Sequence, residues 1–232
     1  SIARLETLEP RTDIQKNNLT LKILNTRITV YLRMGHIQEA MDLIPQIKTL
    51  FETSKQIDSF LKEATYWQVI SLYMITEQYK LALNWFVKAT LEERFHRQDL
   101  ECIGRIIEII LHYELQNLDI LEYRVKAAHR YLSSKDKLYP LENAFLTSFR
   151  HIIKNTDNKG FQLFCDEVKL FLQSETTISL ESNYLVYLII VSWLESKVKG
   201  EKMERIILSK FELDNPVRPI DNKKNELSLQ KE

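Results

Sequence analysis

The chain has 232 residues, of which 44% are hydrophobic and 28% are charged, a composition typical of folded globular proteins. Its 32 basic and 32 acidic residues cancel, so the chain lacks the strong positive field that attracts nucleic acid or anionic membranes. With only 4 Gly and 5 Pro, a fold rich in strands and turns is disfavoured, and long helices joined by short loops are predicted.

Apolar residues recur at three- and four-residue steps along most of the chain, which predicts a series of helices. A first short helix, on which Ile2, Leu5 and Leu8 share a face, ends at Pro10. The next predicted helices cover about residues 19–34, 37–52, 59–76, 79–94, 99–115, 119–133 and 140–154. A further helix is marked by Phe161, Phe164, Val168 and Phe171, and the last two cover about residues 182–197 and 201–211.

Two residues predict local features of the first helix pair. Gly35 is expected to end a helix, because glycine readily takes the left-handed conformation of a helix terminus. Pro45 lies inside the predicted helix 37–52 and is expected to kink it, because proline removes one backbone hydrogen bond.

The helices are expected to form one continuous domain over residues 1–212, followed by an irregular polar tail over 213–232. Whether that tail caps the last helix pair is left open. The beginning of the chain is expected to be an internal point of a longer protein, because Ser1 leads directly into a helical pattern.

The pairing of helices around short turns resembles the tetratricopeptide repeat. In the first pair the matching residues are Tyr31, Gly35, Ile37 and Ala40. In the second pair they are Tyr73, Tyr79, Ala82, Phe86 and Ala89, with Glu77 where the family usually has glycine. The resemblance implies an all-α fold, a right-handed α-α superhelix of about five helix pairs. It is most specific for residues 19–94.

Two shorter stretches also resemble helical-repeat proteins of unknown function from Bacteroidetes. They are Glu114-Leu115-Gln116-Asn117 and Leu138-Tyr139-Pro140-Leu141-Glu142. This resemblance implies a bacterial protein but no activity.

In tetratricopeptide repeats, one face of each first helix lines a groove that binds peptides. The corresponding residues here, by this resemblance, are Asn25, Thr29, Arg33, Trp67, Gln68, Ser71 and Met74. A Trp beside polar residues and an Arg is a plausible peptide-binding surface. The alternative is that Trp67 packs against a neighbouring repeat. Binding of a chaperone C-terminal carboxylate is disfavoured, because Glu108 would repel it.

No motif for catalysis, metal binding or cofactor binding was found, so no catalytic residue, metal site or cofactor is predicted. His112 and Glu114 lie close together at a helix end, but the sequence does not place either beside a nucleophile. The longest apolar run, residues 184–194, is too short for a membrane span.

The leading functional prediction is a cytoplasmic, non-enzymatic scaffold that binds a protein or peptide. Nucleic-acid binding by this segment is not expected, because acidic residues interrupt each small basic patch. The alternative is a peptide-sensing regulatory segment of a larger protein whose N-terminal effector, such as a DNA-binding domain, is missing.

Overall fold

The computed structural model describes residues 4–5, 7–54, 56–92, 98–137, 140–154, 162, 166 and 184–214. The regular elements among these residues are α-helices, and none of these residues lies in a β-strand. The predicted all-α class is therefore confirmed. The predicted helix marked by Phe161, Phe164, Val168 and Phe171 lies outside the described residues, as does the tail after Asp214.

The helices follow one another with short connections over most of the chain. In chain order they are α1 (Asp13–Arg33), α2 (Ile37–Met41), α3 (Ile44–Thr53), α4 (Ser59–Ile75), α5 (Tyr79–Glu92), α6 (Gln98–Glu114), α7 (Leu118–Ser134), α8 (Pro140–Lys154), α9 (Tyr184–Lys199) and α10 (Met203–Asp214). Pairs form between α1 and α2, α4 and α5, α6 and α7, and α9 and α10, while α8 packs on α7. Contacts of α1 with α4 and of α5 with α6 join successive pairs.

Helix α1 begins at Asp13, upstream of the predicted start at residue 19. Thr12 caps this helix, because its hydroxyl oxygen accepts a hydrogen bond of 3.2 Å from the backbone N–H of Gln15. The side chain of Gln15 in turn accepts a hydrogen bond of 2.9 Å from the backbone N–H of Arg11. A Thr followed three residues later by Gln is a known helix-start pattern. The prediction of a start at residue 19 did not take this pattern into account.

The segment around Pro45 forms two helices rather than one kinked helix. Helix α2 ends at Met41, and Pro45 lies in the first turn of α3. Proline has no N–H to donate to the carbonyl of Met41, and its ring would clash with that carbonyl. At the start of a new helix neither problem arises, so the chain breaks upstream of Pro45.

The same tight turn closes several helices. At each such turn the backbone N–H of one residue donates a hydrogen bond of 2.8–3.2 Å to the carbonyl five residues earlier, from His36 to Tyr31, Gln78 to Tyr73, Asn117 to His112, Lys137 to Leu132 and Glu201 to Ser196. The residue before each donor has a positive φ, and these residues are Gly35, Glu77, Gln116, Asp136 and Gly200. This is the Schellman arrangement, which satisfies the free carbonyls at a helix end.

Small and apolar residues that follow these turns pack in the core. Ala40, Ala82 and Leu121 each lie three residues after the start of the second helix of a pair, and all are 0% exposed. Ala89 and Ala128 are also buried, about two turns further along their helices. Ala40, Ala82 and Ala89, which belong to the repeat pattern described from the sequence, are therefore core residues.

The C-terminal pair, α9 and α10, packs against α4 in the middle of the chain. A Cβ atom placed on Gly35, at the end of α1, would lie 3.1 Å from Leu208 of α10. The backbone N–H of Met203, the first residue of α10, donates a hydrogen bond of 3.0 Å to the carboxylate of Glu77, which follows α4. The C-terminal pair thus contacts helices that are distant in sequence. In a simple linear stack, each pair would contact only the adjacent pairs.

Substituting glycine at two of the turns tests the role of Glu77. Asp136→Gly should increase the free energy of unfolding by about 1 kcal/mol, because glycine takes a positive φ without the steric penalty of a side chain. Glu77→Gly relieves the same penalty and removes a carboxylate at the same turn position. It also removes the hydrogen bond to Met203, worth about 1 kcal/mol, so little or no net gain is expected. Chemical denaturation of both variants provides the comparison, and equal gains would show that Glu77 does not hold α10.

Candidate functional site

Three of the predicted groove residues, Asn25, Thr29 and Gln68, take part in hydrogen bonds that join α1 to α4. Asn25 is buried, and its amide donates a hydrogen bond of 2.9 Å to the hydroxyl of Thr65. The Gln68 amide donates to the hydroxyl of Thr29 at 3.1 Å and to the backbone carbonyl of Asn25 at 3.3 Å. Thr29 and Arg33 remain exposed. The polar residues of this face thus stabilise the contact between two helix pairs.

Trp67 packs against the following helix pair. It is 4% exposed, and its ring meets that of Phe86 edge-on, with centroids 6.2 Å apart. A Cβ atom placed on Gly104 of α6 would lie 3.1 Å from Cη2 of Trp67 and 3.3 Å from Cε2 of Phe86. The missing side chain of Gly104 therefore makes room for Trp67, which corresponds to the packing alternative considered from the sequence.

Ser71 and Met74 complete the predicted groove, and both are buried at 2% and 0% exposure. Helix α4, which carries them, packs against α1, α2, α5, α9 and α10. The expectation of an open surface is therefore wrong at Asn25, Trp67, Ser71 and Met74. The physical reason is that neighbouring helices cover these side chains, as α4 covers Asn25 of α1 and as α5 and α6 cover Trp67.

A polar anchor, made of Glu114, Trp193 and Lys197, holds the C-terminal pair against α6. The Glu114 carboxylate accepts a hydrogen bond of 2.5 Å from the Trp193 indole and forms an ion pair of the same length with Lys197. Lys197 also lies 5.9 Å from the ring centroid of Tyr79. Burial, with the nearby carboxylates of Glu114 and Glu77, raises the pKa of Tyr79 and keeps its phenol neutral. This cluster connects α9 to two earlier helix pairs.

Two further titratable groups of α6, Glu108 and His112, are engaged in helix contacts. Burial raises the pKa of Glu108, and its ion pair with Arg124, at 3.4 Å, opposes that rise. Burial, followed by the charge of Arg124, lowers the pKa of His112, whose Nδ1 lies 3.1 Å from the side-chain amide of Asn117. His112 is therefore neutral near pH 7 and bound to the residue before α7. Its geometry supports a helix junction rather than proton transfer.

Across the described part of the chain, no group of three His, Cys, Asp or Glu side chains could hold a metal ion. Nor does any helix formed by the described residues have the length and apolar character needed to cross a membrane.

A surface cleft between the first and second helix pairs is a candidate binding site. This cleft, here called the α3–α5 cleft, has a volume of about 530 Å³, within the usual range for ligand sites. Its walls come from α2, α3, α4 and α5. The residues that line it are Met41, Ile44, Pro45, Lys48, Tyr73, Leu81, Asn84, Trp85 and Lys88.

Aromatic packing makes one wall of the α3–α5 cleft rigid. The Trp85 ring contacts the rings of Phe51 and Tyr66, with centroids 6.1 Å and 5.7 Å away. Burial raises the pKa of Tyr73 and outweighs the lowering effect of the neighbouring Trp85 side chain, so the phenol is neutral. The aromatic wall thus carries no charge of its own.

None of the cleft residues belongs to the groove predicted from the sequence. The signal that could have found the cleft is the break at Pro45, which separates α2 from α3 and leaves room opposite Trp85 and Leu81. A second cleft of about 590 Å³ lies between the start of α1 and the end of α3, but it is lined by both Asp13 and Lys16. The α3–α5 cleft has the larger apolar surface, and the charged residues that line it are both lysines.

A scan against protein-family models, a search of curated proteins and a search of solved structures returned no match to this chain.

Proposed function

We propose that this chain is a non-enzymatic helical-repeat scaffold that binds a protein or peptide segment in the α3–α5 cleft. The paired helices with a recurring turn favour a tetratricopeptide-like, right-handed superhelix as the frame. The open cleft between two of these pairs is the observation that carries the proposal.

Several properties of the α3–α5 cleft support recognition of a polypeptide segment. Leu81 is 41% exposed on one wall, although a large apolar side chain gains free energy when it is covered. The amide of Asn84 lies on the same helix and can bond to a peptide backbone. A rigid aromatic wall lowers the entropy cost of binding, because Trp85 is already held by its neighbours.

Site-specific photocrosslinking tests this assignment in the full chain. A photoreactive amino acid at Asn84, within the cleft, should crosslink a defined polypeptide in lysate from the source cells, identified by mass spectrometry. The same group at Lys80 is the control, because Lys80 is exposed on the same helix but does not line the cleft. Equal crosslinking from both positions would contradict recognition by the cleft.

A charged substitution on the apolar wall should abolish this binding without unfolding the protein. Leu81→Glu places a carboxylate where a partner would bury apolar surface, so capture should fall about tenfold or more. Leu91→Glu is the matched control, because Leu91 is 81% exposed on α5 and lies outside the cleft. Pull-down of the crosslinked partner measures the effect, and circular dichroism should show the same helicity for both variants. Loss of capture in both variants would point to a general solubility effect instead.

A further inference from the structure

The two charged residues that line the α3–α5 cleft are both lysines, Lys48 on α3 and Lys88 on α5. No carboxylate is among the lining residues that the structure describes, and the phenol of Tyr73 is neutral. The cleft lining therefore contains a cationic side chain from each of two helices beside an apolar wall, although the whole chain has a formal net charge of zero.

Lys48 can exchange its present partner for a ligand. Its side chain is 64% exposed, and the carboxylate of Glu52, one helical turn away, lies at 4.0 Å. Ion pairs between exposed side chains at such distances contribute little free energy, because water solvates both groups well. A carboxylate that enters the cleft would compete with this weak contact.

Lys88 is positioned by the aromatic wall. Its Nζ lies 5.9 Å from the ring centroid of Trp85, within the range of a cation–π contact. The Trp85 ring itself lines the cleft and offers apolar surface there. If an apolar side chain of the ligand packs on Trp85 and Leu81, the ligand groups next to it lie close to the Lys88 ammonium.

From this arrangement we infer that the α3–α5 cleft binds an acidic peptide segment, in which carboxylates flank a bulky apolar side chain. The apolar side chain covers Leu81 and Trp85, and the carboxylates pair with Lys48 and Lys88. The inference rests on the proposed scaffold function and specifies the partner of the same site. Charge complementarity would supply specificity and fast association, while apolar burial would supply most of the affinity.

Two synthetic peptides of equal length test the inference on the full chain. Both contain a Leu-Leu-Phe core, which is flanked by glutamates in one and by lysines in the other. Isothermal titration calorimetry at low ionic strength should show the acidic peptide binding about tenfold more tightly or better. Added salt should weaken the acidic peptide, because mobile ions screen its contacts with the lysines.

The double substitution Lys48→Glu and Lys88→Glu should weaken the acidic peptide about tenfold or more, because it replaces attraction with repulsion. The double substitution Lys22→Glu and Lys80→Glu changes the net charge equally at exposed positions outside the cleft, and should change affinity less than about twofold. Equal losses in the two double variants would overturn the inference.

The outcome also separates this inference from the proposed function. If both peptides bind equally and Leu81→Glu abolishes both, the cleft is a binding site but charge does not select its partner. If neither peptide binds and Asn84 forms no specific crosslink, the acidic partner and the cleft assignment are both wrong.

Discussion

Glu114→Ala is expected to lower the free energy of unfolding by about 3 kcal/mol, or to lower Tm by about 6–12 °C. The substitution leaves the indole N–H of Trp193 without its acceptor, although Trp193 is 0% exposed. It also removes the anionic partner of Lys197, whose 30% exposure lets water recover part of the loss. Thermal and chemical denaturation provide the measurement.

Two further variants show whether this loss is specific to the anchor. Glu122→Ala removes an ion pair with Lys126 on α7 in which both side chains are more than half exposed, so a change below about 0.5 kcal/mol is expected. Glu114→Gln keeps an acceptor for Trp193 and should lie between the two. If Glu114→Ala is no more harmful than Glu122→Ala, this carboxylate does not hold the C-terminal pair.

Gly104→Val is expected to lower the free energy of unfolding by about 2 kcal/mol, because the new side chain would overlap Trp67 and Phe86 in a packed core. Ala64→Val is the control, since Ala64 is exposed on α4 and valine there costs only its lower helix propensity, about 0.5 kcal/mol. Denaturation curves of the two variants, compared with the unmodified chain, measure the difference.

A double-mutant cycle makes this test specific for Trp67. A smaller ring in Trp67→Phe should relieve part of the overlap with Val at position 104, so the double variant should be more stable than the sum of the single losses predicts. Strict additivity would show that Trp67 does not rest on Gly104.

Most helices could be predicted from the sequence, because apolar periodicity and turn residues act locally. The predicted helices at residues 59–76 and 140–154 agree closely with α4 and α8. The errors also have local causes: Thr12 starts α1 earlier than predicted, and Pro45 separates α2 from α3. Both signals were present in the sequence, as a capping pattern and as a proline that begins a helix more readily than it bends one.

The candidate site was not predictable in the same way. Trp67 and Trp85 both lie on amphipathic helices, and periodicity alone does not reveal which neighbour covers each ring. The structure places Trp67 on Gly104, whereas Trp85 borders a cleft between two helix pairs. The resemblance to tetratricopeptide repeats predicted instead that Trp67 lines an open groove, because in that family the inner face of the first helices remains open.

The sequence by itself determined an all-helical chain with tight turns after Arg33, Ile75 and Glu114, since helix formation and termination depend on residues a few positions apart. The tertiary structure alone decided that α9 and α10 cover α4. The C-terminal pair is also held by Glu77 with Met203 and by Glu114 of α6 with Trp193, pairs separated by 126 and 79 residues. Such distant partners leave no periodic trace in the sequence, because periodicity reflects only residues a few positions apart.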